Sequence, residues 1–196
     1  MVRRRRGLAP WLLALLLPLL LGLASVAKAA EPAIAVTVDS KEDHFQVNAT
    51  IATSAPLATA WEVMIDFEHM TTILSNLKSS TVLQRNGQTL VIRQEGVARY
   101  GLLSFSFESE REVHLDPMKR VYTRQLSGTT KKLEGELRLE PSPNGTLMHY
   151  HAEIQDDSLL SRLFGATFLR HEVEEQFRLM VAEMEKRAKP RVQAAD

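Results

Sequence analysis

Hydrophobic and polar residues alternate along much of this chain, which predicts a protein built mainly from β-strands. Between Phe45 and Ile51, hydrophobic residues occupy every second position and polar residues lie between them. This two-residue period is typical of a strand with one buried face. It returns in six later segments: Thr81–Arg85, Gln88–Ala98, Leu103–Leu115, Val121–Leu126, Leu133–Glu140 and Met148–Ile154. Asn86-Gly87 separates the first two of these segments and is a strong signal for a hairpin turn.

Helical spacing replaces this alternation in two regions. Ser54-Ala55-Pro56 is typical of a helix start, and hydrophobic residues then recur at helical spacing up to Ile65, with a second short helix predicted over residues 70–77. Asp156-Asp157-Ser158 predicts the cap of a long helix that reaches Ala188. The apolar stripe of this helix consists of Leu159, Leu163, Ala166, Leu169, Val173, Phe177, Met180, Val181 and Met184.

The order of these elements predicts an α+β fold. We expect a curved antiparallel sheet of about six to seven strands wrapped on the long C-terminal helix, with two short helices after the first strand. The folded domain should span residues 44–188, after a lead-in over residues 30–43 in which Ala33 to Val38 form a candidate additional strand, and before a disordered tail over residues 189–196. An imperfect fit between sheet and helix can leave an apolar cavity of the kind that binds small molecules.

The first 29 residues differ from the rest and resemble a secretory signal peptide. Four arginines, Arg3 to Arg6, precede an almost wholly apolar run from Leu8 to Leu23, and Ala27-Lys28-Ala29 then provides a cleavage site before Ala30. We therefore expect a Sec-type signal that is cleaved after Ala29, and a periplasmic or otherwise exported protein. The alternative is an uncleaved signal that anchors the chain in the membrane.

Composition narrows the classes of function. Removal of residues 1–29 takes away five basic residues and no acidic one, so the mature chain carries a net charge of −5. An acidic protein is poorly suited to nucleic acid or to anionic lipid surfaces, so we expect no nucleic-acid partner and at most transient membrane contact. The chain has no cysteine, which excludes disulfides and thiolate metal ligands.

Three stretches of sequence resemble a known superfamily. They are the strand from Phe45 to Ile51, the segment from Ala60-Trp61 to His69-Met70 that follows Ala55-Pro56, and Leu133-Glu134-Gly135-Glu136-Leu137 before the final hairpin. They are similar to motifs of the START-like, helix-grip superfamily (SRPBCC), and within it to the polyketide cyclase/dehydrase and coenzyme Q-binding branches. The resemblance covers residues 44–187 and implies the helix-grip fold.

The resemblance also implies three possible functions. The first is the binding of a hydrophobic small molecule, such as a lipid, a quinone or a polyketide-like compound, between the sheet and the C-terminal helix. The second is a cyclase/dehydrase-type enzyme, for which Tyr100, Tyr122, Tyr150, Arg170 and His171 are the available acid–base groups. The third is an envelope interaction domain with a filled core and no ligand. We expect no cofactor.

The candidate ligand-binding residues are mainly aromatic. They are Phe105, Phe107, Tyr122, Tyr150 and Phe177, together with Val173 and Arg170. Arg170 is included because a helical wheel places it within the apolar stripe of the C-terminal helix, where a charge needs a partner or a cavity. As a ligand-binding residue it would contact an oxygen of the ligand. Alternatively its long side chain extends past the edge of the sheet to solvent, or pairs with an internal carboxylate.

Two other sets of polar residues are explained without a functional role. His149, His151 and Glu153 share one face of a strand and include the ligand types of a metal site, but the opposite face carries the hydrophobic residues, so we expect the histidines to face solvent. Arg93, Glu95 and Arg99 are expected to form a ladder of charges with Glu108 and Glu110 across neighbouring strands. We therefore assign no metal ligand and no catalytic residue.

Overall fold

The fold is described by a computed structural model that covers residues 34–101, 103–157 and 159–189. The predicted signal peptide (residues 1–29), the first part of the predicted lead-in (residues 30–33) and nearly all of the predicted tail (residues 190–196) lie outside these ranges. Within them, none of the helices combines the length and the apolar character needed to cross a bilayer.

Eight antiparallel strands form one curved sheet. Their order across the sheet is β1-β2-β8-β7-β6-β5-β4-β3, so that every strand from β4 to β8 is a direct neighbour of the one before it. The strands are β1 Ile34–Lys41, β2 His44–Thr53, β3 Leu77–Asn86, β4 Thr89–Tyr100, β5 Leu103–Asp116, β6 Arg120–Gly128, β7 Lys132–Ser142 and β8 Gly145–Gln155.

The seven strands predicted from the alternation are all present, and the predicted hairpin at Asn86-Gly87 joins β3 to β4. The sheet has eight strands rather than about six to seven, because the candidate strand in the lead-in is present as β1. This strand pairs with β2 along its whole length, from Ile34 opposite Ile51 to Lys41 opposite His44. The sheet therefore begins before the predicted domain boundary at residue 44.

Two short helices connect β2 to β3. Helix α1 spans Leu57–Met64 and begins after Pro56, as predicted. A single 3₁₀ turn, Phe67–His69, leads into α2, which spans Met70–Ile73. The predicted second helix was too long, because Leu77 already pairs with Gly96 in the sheet and the chain must become extended before that point.

The C-terminal helix α3 spans Leu159–Ala188, as predicted, but it is kinked. Gly165 has a φ of +29° and a ψ of −114°, which no helical residue adopts. Glycine suits this position because a Cβ atom there would also lie only 3.1 Å from the ring of Phe45 on β2. The stripe of α3 beyond the kink faces the core, where Phe177, Met180, Val181 and Met184 are buried.

The observed arrangement confirms the predicted α+β, helix-grip fold. We call the face of the sheet that is turned toward α3 the inner face and the opposite one the outer face. The inner face carries most of the buried side chains, and α1, α2 and the 3₁₀ turn cover the part of it that α3 leaves open.

Candidate functional site

A cavity lies between α3 and the inner face of the sheet. Helix α3 approaches the sheet most closely along β1 and β2 and lies further from the middle strands, where the space is incompletely filled. The cavity has a volume of about 150 Å³. A dry space of about this size accommodates a single aromatic ring in another protein. The predicted hollow between sheet and helix is therefore present.

Hydrophobic side chains form most of the cavity wall. Helix α3 contributes Val173, Phe177 and Met180, and the segment from α1 to β3 contributes Met64, Phe67, Met70 and Leu74. The sheet contributes Ile92, Val113, Val121 and Leu137. Three of these wall residues are methionines, whose flexible side chains adapt to guests of different shape.

One charged side chain, Arg111 on β5, lies in this apolar wall. Arg111 is partly buried as a residue, but its Nε atom is fully buried and has no hydrogen-bond partner. Among the residues described by the structure, no aspartate or glutamate lines the cavity, and none forms an ion pair with Arg111. A buried cation without a counter-charge is costly, so its presence calls for an explanation.

A chain of hydrogen bonds holds the Arg111 guanidinium in place. Its Nη2 donates to Oε1 of Gln94 on β4. Nε2 of Gln94 donates in turn to Oγ of Ser80 at 3.0 Å, and that hydroxyl donates to the backbone carbonyl of Phe67 at 2.5 Å. This chain links β5, β4 and β3 to the 3₁₀ turn. It fixes one end of the guanidinium and leaves Nε free.

Two further hydroxyl groups lie on the cavity wall. Oγ1 of Thr123 is buried and has no hydrogen-bond partner. Tyr150 lines the cavity as well, and its ring packs edge-on against Phe177 with 5.3 Å between the ring centroids. Gly135 lies beside both, since a Cβ atom there would be 3.2 Å from Thr123 Cγ2 and 3.5 Å from the Tyr150 hydroxyl. The absence of a side chain at Gly135 thus keeps part of the cavity open.

Burial shifts the ionisation of both titratable groups. It lowers the pKa of the Arg111 guanidinium, with a small opposing effect from Tyr150. It raises the pKa of the Tyr150 hydroxyl, and the Arg111 cation offsets part of that change. Arginine nevertheless stays protonated in proteins, and a tyrosine with a raised pKa stays neutral near pH 7. The cavity therefore presents a cation and a neutral hydroxyl at its polar end.

Three of the seven predicted site residues lie on the cavity wall. They are Tyr150, Val173 and Phe177. The alternation on β8 and the stripe on α3 placed them correctly on inward-facing positions.

The other four predicted site residues lie elsewhere. Tyr122 is on the outer face of β6, beside Glu112 and His114, because its neighbours Val121 and Thr123 occupy the inward positions. Phe105 and Phe107 lie on β5 but do not line the cavity, and Phe105 instead packs edge-on against Phe168 of α3 at 6.4 Å. Arg170 is exposed, as in the alternative in which it reaches solvent, and its Nε lies 4.0 Å from the exposed carboxylate of Glu174 on the same helix.

Arg111 and Gln94 were not among the predicted site residues, although the alternation contains the signal. Arg111 is in phase with Val113 and Leu115, and Gln94 is in phase with Leu90 and Ile92. All four hydrophobic residues are buried on the inner face. A charged residue in phase with such a set is forced inward, so the strand period alone could have identified it.

The charged groups of the outer face lie where the strand period predicted them. His149 and His151 point away from the cavity, and Nδ1 of His151 lies 2.8 Å from Oδ1 of Asn48. Among the described residues, no cluster of three or more His, Cys, Asp or Glu is arranged to hold a metal ion. The predicted charge ladder holds at one rung, Arg93–Glu110 at 2.7 Å, whereas Glu95 lies opposite Glu108 and Arg99 lies opposite Ser104.

Comparison with known sequences identifies one family. Residues 53–178 match the family described as polyketide cyclase / dehydrase and lipid transport. This segment includes α1, α2, strands β3 to β8 and most of α3, and so contains every residue of the cavity wall except Met180. A search among curated proteins found no significant match.

Solved structures with the same fold have low sequence identity. The Zhui aromatase/cyclase from Streptomyces sp. R1128 is 17% identical, with a TM-score of 0.62 over 74% of this chain and 96% of its own. A START superfamily protein from Mycobacterium smegmatis is 16% identical, with a TM-score of 0.62 over 72% of this chain and 97% of its own. Human STARD10 is 12% identical, with a TM-score of 0.62 over 78% of this chain and 69% of its own.

Proposed function

Because this chain belongs to the polyketide cyclase/dehydrase and lipid transport family, we propose that it binds a hydrophobic small molecule in the cavity beneath α3. The observation that carries this proposal is the apolar cavity itself, with Arg111 as the one cation on its wall in the described part of the chain. Burial of apolar ligand surface, at roughly 25 cal/mol per Å², supplies the binding free energy. The polar groups at one end set the orientation of the ligand.

The size of the cavity limits what it holds without rearrangement. Ligand pockets typically measure about 300–1,000 Å³, and this one measures about 150 Å³. A single ring or a short chain fits directly. A larger lipid, quinone or polyketide-like molecule requires the wall to move, and Met64, Met70 and Met180 are the side chains best suited to do so.

Native mass spectrometry tests the proposal even while the ligand is unidentified. The full chain is expressed in a Gram-negative host, and the protein is purified without detergent. We expect a second species, heavier by the mass of one small molecule, that disappears after extraction with organic solvent. Protein that carries no such molecule, and that acquires none from a whole-cell lipid and metabolite extract, would contradict the proposal.

A cyclase/dehydrase-type enzyme is the second candidate, supported by the similarity of the fold to the Zhui aromatase/cyclase. Tyr150 and Arg111 are the titratable residues on the cavity wall as the structure describes it. General acid–base catalysis works best with a group whose pKa lies near the operating pH. Burial moves the pKa of Tyr150 away from neutrality, so binding is the better supported function.

The ligand is bound outside the cytoplasm in this proposal. The order of charged, apolar and small residues over positions 1–29 supports export with cleavage after Ala29. Fractionation of cells that express the full chain, followed by intact-mass measurement, tests this step. We expect a periplasmic protein whose mass corresponds to residues 30–196. A membrane-bound protein that retains residues 1–29 would instead support the uncleaved anchor.

A further inference from the structure

Arg111 is the arginine of the sheet that lines the cavity, and it has no acidic partner among the described residues. On the outer face, Arg93, Arg120, Arg124 and Arg138 each lie within 3.4 Å of a carboxylate oxygen. On the inner face, Arg111 has only the neutral Gln94, and its Nε has no partner at all. Four exposed arginines therefore have a carboxylate partner, whereas the arginine on the cavity wall has none among the described residues.

We propose that the ligand itself supplies this charge: it is a small monoanion with a ring-sized apolar body and one carboxylate. This inference rests on the proposed function and adds the chemical class of the ligand. The carboxylate lies against Nε of Arg111, and the apolar body fills the space between Phe177 and the methionines of the wall. An uncharged lipid or an uncharged quinone would leave Arg111 without a negatively charged partner, and it therefore fits the site less well.

The unused hydrogen-bonding groups match a carboxylate. Nε of Arg111 is a donor without an acceptor, and Oγ1 of Thr123, on the same cavity wall, is a hydroxyl without a partner. A carboxylate has two oxygens, one for each of these donors, and it adds no donor that would need a further partner. Hydrogen bonds between charged groups are also roughly twice as strong as neutral ones.

The charge and volume of the cavity exclude related anions. A phosphate dianion carries twice the charge, and Arg111 is the only cation on the wall among the residues that the structure describes. The second negative charge would then be buried without a partner. The volume of about 150 Å³ favours one ring rather than a long acyl chain.

Benzoate and benzamide form a matched pair of probes, because they share ring and shape and differ in charge. Their affinities for the purified protein are measured by isothermal titration calorimetry near pH 7. We expect benzoate to bind at least tenfold more tightly than benzamide. In Arg111→Met, we expect the affinity for benzoate to fall about 10- to 100-fold, the range of a charged hydrogen bond, while that for benzamide changes little.

Two variants control for indirect effects. Arg111→Lys keeps the cation but loses the planar fork, so it should retain part of the preference for benzoate. Arg93→Met removes a paired arginine from the outer face and should leave both affinities unchanged. A preference for benzoate that responds to Arg93→Met as strongly as to Arg111→Met would overturn the inference.

The remaining outcomes separate the two proposals. Equal binding of benzoate and benzamide would overturn the anionic ligand but leave the hydrophobic cavity as a binding site. Failure of both probes to bind would overturn the ring-sized carboxylate. The proposed function would in that case be decided separately, by the small molecule retained during purification.

Discussion

The two faces of the sheet differ in whether their arginines have carboxylate partners. The outer face has many charged side chains, and four of its arginines lie beside carboxylates, such as Glu110 for Arg93 and Glu112 for Arg124. The inner face has one arginine, Arg111, and no carboxylate lines the cavity within the described part of the chain. Exposed ion pairs contribute little to stability, whereas a buried unpaired charge costs free energy.

This difference indicates which face has been shaped by function. On the outer face, four arginines have carboxylate partners within the protein. On the inner face, Arg111 and Thr123 line the cavity, and Nε of Arg111 and Oγ1 of Thr123 are buried without hydrogen-bond partners. Proteins accept such local violations of good packing mainly at functional sites. We therefore expect substitutions on the inner face to affect binding, and those on the outer face to affect only stability.

Filling the cavity should have the largest effect. Gly135→Leu places a side chain beside Thr123 and Tyr150, in the space that the ligand needs. We expect the purified variant to carry none of the small molecule that the unmodified protein retains, as measured by native mass spectrometry. Overpacking should lower the free energy of unfolding by only about 1–3 kcal/mol, so the variant should remain folded.

The neighbouring position on β7 provides the control for this experiment. Glu134→Leu introduces the same side chain on the outer face, where Glu134 pairs with Lys132 at 3.4 Å. This variant should retain the small molecule. If Gly135→Leu also retained it, the cavity beneath α3 would not be the binding site.

Removal of the unpaired charge should stabilise the ligand-free protein. Arg111→Met keeps the apolar stem and removes a buried cation that lacks a counter-charge. We expect the free energy of unfolding to rise by about 1 kcal/mol in urea titrations, since the lost hydrogen bond to Gln94 offsets part of a larger gain. A marked loss of stability would mean that Arg111 is a structural residue, and the contrast between the faces would then fail.

Removal of a paired arginine should lower the free energy of unfolding instead of raising it. Nη2 of Arg187 on α3 lies 2.9 Å from Asp66, and its Nε lies 2.8 Å from Glu183. The pKa of Asp66 is lowered, because hydrogen bonds from His69 and Arg187 outweigh the opposing effect of burial. The pKa of Glu183 is lowered by hydrogen bonds from Lys186 and Arg187.

Carboxyl groups with lowered pKa values stabilise the fold above their unfolded pKa, and this stabilisation disappears as the pH falls through the folded value. Arg187→Met should therefore reduce the free energy of unfolding by about 1 kcal/mol or less at pH 7. The difference from the unmodified protein should shrink as the pH falls below about 4, where carboxyl groups of the unfolded chain become protonated. A difference that is constant with pH would show that Arg187 acts through packing rather than charge.

Tyr150 should give the smallest effect, at alkaline pH. Burial raises the pKa of its hydroxyl in the folded protein, so the stability it contributes is present below about pH 10 and is lost as the pH rises further. Tyr150→Phe should remove this loss, which we expect to be roughly 0.5 kcal/mol near pH 10.5. This is tested by measuring the free energy of unfolding at pH 8 and at pH 10.5. The outer-face variant Tyr122→Phe is the control, because it keeps Tyr150 and should therefore still lose this stability at pH 10.5.

The fold was largely predictable because alternation and helical spacing report directly on burial. Residues that alternate from Phe45 to Ile51 are alternately buried and accessible in β2. The kink in α3 was missed because the apolar stripe continues through it, and only the close approach of Gly165 to Phe45 reveals why the helix bends there. Such a contact joins residues that are far apart in sequence.

The cavity wall was only partly predictable, because residue type and strand phase point to different residues. Tyr122 has an aromatic ring, but the phase of Val121 and Thr123 puts it on the outer face. Arg111 is charged, but its phase with Val113 and Leu115 puts it on the inner face. The position of the cavity along the strands depends on where α3 departs from the sheet, which no local pattern records.

Methyl NMR on the methionines tests the central claim most directly. Met64, Met70 and Met180 line the cavity, whereas Met118 and Met148 do not. In protein labelled at its methionine methyl groups, saturation with benzoate should shift the signals of the three wall methionines and leave those of Met118 and Met148 in place. Shifts confined to Met118 or Met148, or no shifts at any concentration, would contradict the assignment of the cavity as an anion-binding site.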